Sequence, residues 1–293
     1  MKLNKLINDK KKKFNFFYKK FLISTLLKDN LSKAMIYGSM NGGKRIRPFL
    51  VSFFSEFTNI SNIQSFRLSA AIECLHSYSL IHDDLPSMDN DDYRRGKLST
   101  HKKFNESTAI LAGDALHDLA FEIISDKKTH PKPELRIKLI NILSKSTGFK
   151  GLAGGQSLDL LYENKKINIY KILKMYKMKT SSLFSFSCMA PFILSEKENL
   201  EINFAKKYGN LFGLIFQITD DILDEEQNFK LLGKTPGKDK KQGKSTLLLN
   251  KNSKDLKLLC TNKIIIFINK NKIFFQKNPL LEKLLYFNIN RLN

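Results

Sequence analysis

Apolar residues recur three and four positions apart along most of this chain, and alternating strand-like runs are few, so almost everything it can build is helix. Phe66 to Ile81, FRLSAAIECLHSYSLI, shows the pattern well, being rich in Ala and Leu and free of Gly and Pro. The same period predicts helices at Thr108 to Ile124, Leu135 to Ser146, Ile169 to Ala190 and Phe204 to Leu223. Gly and Pro mark breaks at Asn41 to Pro48, His130 to Pro133, Gly148 to Gly155 and Gly233 to Gly243. No hairpin signal and no repeat emerges. Lys263 to Phe275, KIIIFINKNKIFF, is β-branched enough to be a strand in isolation, but with no partner strand in view it is expected to be a helix held by packing. With 293 residues and 42% hydrophobic side chains, the economical expectation is one all-α domain, 1–293, a bundle of long helices around a central active-site cavity.

Two acidic clusters interrupt this pattern, HDDLPSMDNDD at His82 to Asp92 and TDDILDEE at Thr219 to Glu226, in a chain of formal charge +22. Crowded carboxylates repel unless a cation sits between them. His76, Ser79 and Asp83 lie at i, i+3 and i+7 and share one helix face. Asp83 and Asp89 would be about 240° out of phase on a regular helix, but Pro86 breaks it and lets the chain turn back, so both reach one metal cluster. In the second cluster Asp220 and Asp224 are at i, i+4, with Asp221 between them and Gln217 one turn earlier. An acidic surface turn would explain either cluster alone. Two of them, each closing an apolar helix, predict facing carboxylate walls suited to Mg2+.

Cations stand beside these clusters. Lys44, Arg45 and Arg47 follow the glycine pair Gly42-Gly43, and Arg94-Arg95-Gly96 follows the first acidic cluster directly. Lys179-Thr180, Lys234 and Lys244 come later, and such groups suit phosphate oxygens. The run GKST resembles the end of a nucleotide-binding P-loop, but lacks the upstream glycine spacing and the preceding strand. Other lysines are spread evenly, as in KINIYKILKMYKMK, which argues against one nucleic-acid patch. Cys74, Cys188 and Cys260 have no metal-ligand spacing and read as reduced packing residues. The opening MKLNKLINDKKKKFNFFYKKFLISTLLKD does not resemble a secretory signal, and no run is long enough to span a membrane, so a cytoplasmic setting is expected.

Taken in order, GGKRIRP, ECLHSYSLIHDDLPSMDNDDYRRG, LAGDAL, GGQSLDL, KTSSLF, GLIFQITDDILD and LGKTPGKDKKQGKST resemble the short-chain trans-prenyl diphosphate synthases, and most closely the bacterial farnesyl diphosphate synthases. The resemblance runs from about Lys44 to Leu249 and weakly to the end. It implies a prenyltransferase that joins isopentenyl diphosphate to dimethylallyl and geranyl diphosphate to give farnesyl diphosphate, with about two or three Mg2+ ions per active site. By matching position, Asp83, Asp89 and Asp220 resemble the metal ligands, with Asp84, Asp221 and Asp224 supporting. Arg94, Lys179, Lys234 and Lys244 match the holders of the allylic diphosphate. Lys44, Arg47, His76 and Arg95 match the isopentenyl diphosphate site. Thr180 and Gln217 match residues lining the cavity where the allylic cation forms, and Gln156 and Asp159 those that orient the metal's water shell. The resemblance also implies a homodimer. No Ser-His-Asp or Cys-His pattern is present, in keeping with a reaction that needs no nucleophilic side chain.

Tyr78, five residues before Asp83, sits where the family often places an aromatic floor, with Ser79 beside it, and this favours farnesyl as the product length. Asn90 replaces a common acidic residue, and the C-terminal third exchanges the family's Ala-rich helices for Lys- and Asn-rich ones. The rivals are a geranyl or geranylgeranyl diphosphate synthase, a noncatalytic subunit of a heteromeric synthase, and a basic nucleic-acid-binding protein. The intact pair of acidic motifs speaks against the last two.

Overall fold

The computed structural model describes residues 3–226 and 243–290; Lys234 lies outside them. Its contacts gather into two compact units, Met1–Leu143 with Ser187–Glu198, and Ser144–Phe186 with Asn199–Asn293.

The first unit holds α1 (Leu3–Thr25), α2 (Asn30–Met40), α3 (Ile46–Ser55), α4 (Asn62–Asp83), the short α5 (Thr100–Lys103) and α6 (Glu106–Ser125). α7 (Pro133–Thr147) starts there, with Pro133 at the first turn where its missing N–H costs nothing. α4 begins at a capping box: Ser61 Oγ accepts from Gln64 N–H at 3.3 Å, and Gln64 Oε1 accepts from Ser61 N–H at 2.8 Å. Leu68, Ile72 and Leu75 are fully buried, and α4 packs chiefly against α6 and α3. Gly113 of α6 leaves room for the His82 ring, since a Cβ there would lie 2.1 Å from His82 Nε2. Across α1 the buried stripe is Ile7, Phe14, Tyr18 and Leu22, a helical spacing masked in the sequence by the lysines between.

A hairpin of two-residue strands, β1 (Tyr93–Arg94) and β2 (Lys97–Leu98), corrects the expectation that there would be none. Arg95 (φ 55°) and Gly96 (φ 76°) occupy its tip, the positive-φ pair of a type I′ turn. Arg-Gly is a weaker signal for that turn than Asn-Gly, which is why it escapes a reading of the sequence.

The second unit holds α8 (Leu152–Leu161), α9 (Ile169–Tyr176), a π-helical turn (Lys177–Ser181), α11 (Asn199–Glu226), α12 (Ser253–Lys270), α13 (Lys272–Lys277) and α14 (Leu280–Ile289). α10 (Ser182–Leu194) begins in this unit and ends in the first. The helix expected over Ile169 to Ala190 is therefore split by the π turn. The β-branched run from Lys263 is helical, as expected. Asn252 caps α12 by accepting from Asp255 N–H at 2.9 Å, Ile264 is fully buried, and Phe267 stacks on Phe204 at 5.9 Å. Tyr208 Oη donates to Leu281 O at 2.8 Å, and Asn288 Nδ2 to Phe212 O at 2.8 Å, tying α14 to α11. Among the described residues no helix is long and apolar enough to cross a membrane, and all three cysteines are free and buried.

Candidate active site

Pro86 does what the spacing requires. α4 stops at Asp83, Leu85 N–H bonds to His82 O at 3.1 Å, and the chain then folds back until Asp89 N–H reaches Asp83 O at 2.8 Å. The two aspartates six apart in sequence thus become backbone neighbours. Asn90 has φ 48°, a left-handed conformation that Asn tolerates better than most residues, so its place in an otherwise acidic run has a backbone reason.

The turn also sorts its carboxylates. Asp84 (2% exposed) and Asp91 (8%) point inward to Arg94, while Asp83 and Asp89 are half-buried and keep solvent access. Arg94 Nε donates to Asp84 Oδ1 at 2.8 Å, and its Nη2 bonds Asp84 and reaches Asp91 Oδ2 at 3.2 Å. Burial lifts the Asp84 carboxyl to about 6 in spite of Arg94, so it is still ionised at neutral pH. Burial works against the Arg94 charge, but Asp84 and then Asp91 hold its proton more firmly than usual. Asp92 is exposed and pairs with Lys102 at 3.0 Å.

The glycine-rich stretch ahead of α3 gathers cations in the same unit. Arg45 (φ 53°) turns inward: it pairs with buried Glu73, donates from Nη2 to Ser39 O at 2.7 Å and from Nε to Asn15 Oδ1 at 3.0 Å. It is a framework residue. Arg95 Nη1 donates to Gly42 O at 2.7 Å, its guanidinium lying against Gly43, whose φ of 100° favours glycine. His76 lies amid these groups. Burial first, then the charges of Arg47, Arg95, Arg45 and Arg94, push its imidazole well below the ordinary range, so it is neutral. Ser79 is buried, with Oγ donating to His76 O at 2.9 Å. Tyr78 is half-buried and meets His82 and His117 edge-on at 5.0 and 5.1 Å.

In the second unit the π turn carries Lys179 and Thr180, a common use of this strained geometry. α8 lies against it because of Gly155, where a Cβ would fall 2.2 Å from Lys179 N, and α11 because of Gly213, where one would fall 2.6 Å from Ser181 Cα. Asp159, on α8, accepts from Lys179 Nζ at 2.6 Å and from Lys244 Nζ at 3.2 Å, and Lys244 also pairs with Glu163 at 2.8 Å. Burial alone would raise the Asp159 carboxyl, but the two ammonium groups hold it below its usual range. Asp159 therefore positions the lysines. Both amide atoms of Gln156 are buried with no hydrogen-bond partner among the described residues.

A chain of bonds crosses the second acidic motif. Thr180 Oγ1 donates to Gln217 Oε1 at 2.6 Å, Gln217 Nε2 to Asp221 Oδ1 at 2.8 Å, Tyr176 Oη to Asp221 Oδ2, and Leu247 N–H to Tyr176 Oη at 3.1 Å. Asp221 (4% exposed) and Asp224 (3%) are buried, whereas Asp220 is half-buried and reaches solvent. Tyr176, Glu163 and Asp91 are the participants that sequence reasoning does not find. Tyr176 stands three residues before Lys179 in KMYKMKT, a place without meaning until α9 and α11 are seen to pack there.

Among the described residues no three His, Cys, Asp or Glu side chains converge as a cage for a metal. Mg2+ needs no such cage, since it takes one or two carboxylates and completes its shell with water and substrate phosphates. Asp83 and Asp89 in the first unit, and Asp220 in the second, are each half-buried carboxylates of the kind such ligation uses.

A family model described as polyprenyl synthetase matches residues 28–264. A farnesyl diphosphate synthase of Micrococcus luteus is 43% identical over 216 residues, 74% of each chain. Among solved structures, an apo FPP/GFPP synthase from Zymomonas mobilis superposes with a TM-score of 0.86 at 33% identity, covering 98% of both chains. A geranyltransferase from Helicobacter pylori, complexed with magnesium and isoprenyl diphosphate, gives 0.83 at 30% identity over 98% of this chain and 96% of that one.

Proposed function

This chain belongs to the polyprenyl synthetase family, and from that premise we propose that it is a Mg2+-dependent prenyltransferase making farnesyl diphosphate from isopentenyl, dimethylallyl and geranyl diphosphates. The observation that carries the site assignment is the sorting of carboxylates within each acidic motif. Buried Asp84, Asp91 and Asp221 hold neighbouring side chains, and Asp83, Asp89 and Asp220 keep the solvent access that metal ligation needs.

Asp83, Asp89 and Asp220 are the residues that would hold Mg2+, which would supply positive charge to the leaving diphosphate. Arg94, fixed by Asp84 and Asp91, binds the allylic diphosphate together with Lys179 and Lys244, whose ammonium groups are fixed by Asp159. Lys234 has the same role in this reading. Cations held in place before reaction stabilise charge developing on the departing diphosphate without reorganising. Lys44, Arg47 and Arg95 bind isopentenyl diphosphate, and neutral His76 donates a hydrogen bond to it without adding charge. Thr180 and Gln217 offer oxygen dipoles toward the allylic cation, fixed by their bond to each other. The isopentenyl double bond attacks this cation, and a proton passes to the released diphosphate to restore the alkene.

The reading treats 1–293 as one synthase domain, because the residues it requires fall in both units, and as a homodimer, which the family resemblance implies. Free, buried cysteines support a cytoplasmic setting. Condensation assays with Mg2+ test the site: Asp83→Asn, Asp89→Asn and Asp220→Asn should each cost about a hundredfold or more in kcat. Full activity in any one of them removes that residue from the metal site.

A further inference from the structure

We propose that the outward face of α1 is a docking surface for an anionic membrane. α1 has seven lysines and one carboxylate, Asp9. Its buried stripe is anchored: Phe14 stacks on Tyr18 at 5.3 Å, Phe17 on Phe66 of α4 at 5.1 Å, and Lys10 turns inward to Glu56 at 2.6 Å. Opposite that stripe, Lys12, Lys13 and Lys20 are exposed along one line with Phe16 (65% exposed) and Ile23 (58%), and Leu27 (76%) continues it just past the helix. Phe16 and Ile23 are seven apart and so stand on one side of the helix. Lys20 Nζ lies 4.4 Å over the Phe16 ring, which puts charge and apolar surface at the same spot.

Each feature selects the occupant. Lysines flanking an exposed apolar line match a helix lying in the headgroup plane, with apolar side chains below it and ammonium groups at the lipid phosphates. A second copy of the chain is disfavoured, because a two-fold contact would set lysine against lysine. Nucleic acid accounts for the lysines but gives Ile23 and Leu27 nothing to do. The helix is already folded and packed, so docking carries no ordering cost. The proposal stands on the helix and not on the assigned reaction, although a product with a long apolar tail would gain from release beside lipid.

The test is co-sedimentation of the full chain with vesicles of phosphatidylcholine alone and of phosphatidylcholine with phosphatidylglycerol. Binding should need the anionic lipid. It should fall roughly tenfold in Phe16→Ser/Ile23→Ser, from the lost apolar insertion, and at least as far in Lys12→Glu/Lys13→Glu/Lys20→Glu. A control with the same charge change on exposed lysines of the second unit, Lys165→Glu/Lys166→Glu/Lys171→Glu, should bind nearly as the parent does. Condensing activity in solution, unchanged in every variant, verifies folding. Equal loss in the control would reduce the effect to net charge and overturn the proposal. So would absence of binding to anionic vesicles, a change of oligomeric state caused by the Phe16 variant, or α1-dependent retention of a single-stranded oligonucleotide without vesicle binding.

Discussion

Asp83 and Asp84 are adjacent and chemically identical, yet one keeps solvent access and the other is buried against Arg94. Residue roles here follow from such local direction, and substitutions should separate them. Tyr176→Phe removes one donor to Asp221 and the hydroxyl that accepts from the buried Leu247 N–H. We expect a loss of about 1–3 kcal/mol in denaturant unfolding and a fall in kcat larger than the change in KM for either substrate. Tyr78→Ala should lengthen the product, since the ring edge between His82 and His117 is removed; an unchanged chain-length distribution by chromatography would end its assignment as the pocket floor. The acidic and basic residues were legible in the sequence because their types and spacing name their chemistry. Which carboxylate faces inward was not, since that depends on a backbone turn set by Pro86 and on the φ of Asn90.

At the level of elements, the π turn and its glycines are the most exacting feature. Gly155 and Gly213 each admit a neighbouring backbone to within a distance no Cβ permits. Gly155→Ala should therefore cost about 1–3 kcal/mol by overpacking and displace Lys179 and Thr180, with kcat falling even at temperatures where the variant is folded. Normal stability and turnover would show that α8 moves aside freely. Helix positions were readable because apolar residues at three and four apart survive in α4, α6 and α11. The split between α9 and α10 was not, because a π turn inserts only one extra residue, a shift that spacings of three or four do not reveal. α1 was hidden for a different reason: its buried stripe is real, but the lysines between crowd the pattern.

Across the whole molecule, buried charge ties stability to pH. His76 is held neutral well below its ordinary value of 6.5, so the folded chain refuses a proton that the unfolded chain accepts. Stability from this group is full above that value and is lost as pH falls below it, toward the depressed folded value. Urea midpoints should therefore drop between about pH 7 and pH 5, and His76→Gln should make that slope shallower. An identical slope in the variant would assign the effect to other groups. The Lys- and Asn-rich C-terminal helices also lead us to expect a low melting temperature without ligand. The assigned reaction can be checked by incubating the folded protein with isopentenyl and dimethylallyl diphosphates and Mg2+ and identifying the product: farnesyl diphosphate that disappears when the metal is chelated is expected, and absence of any condensation product would contradict the assignment.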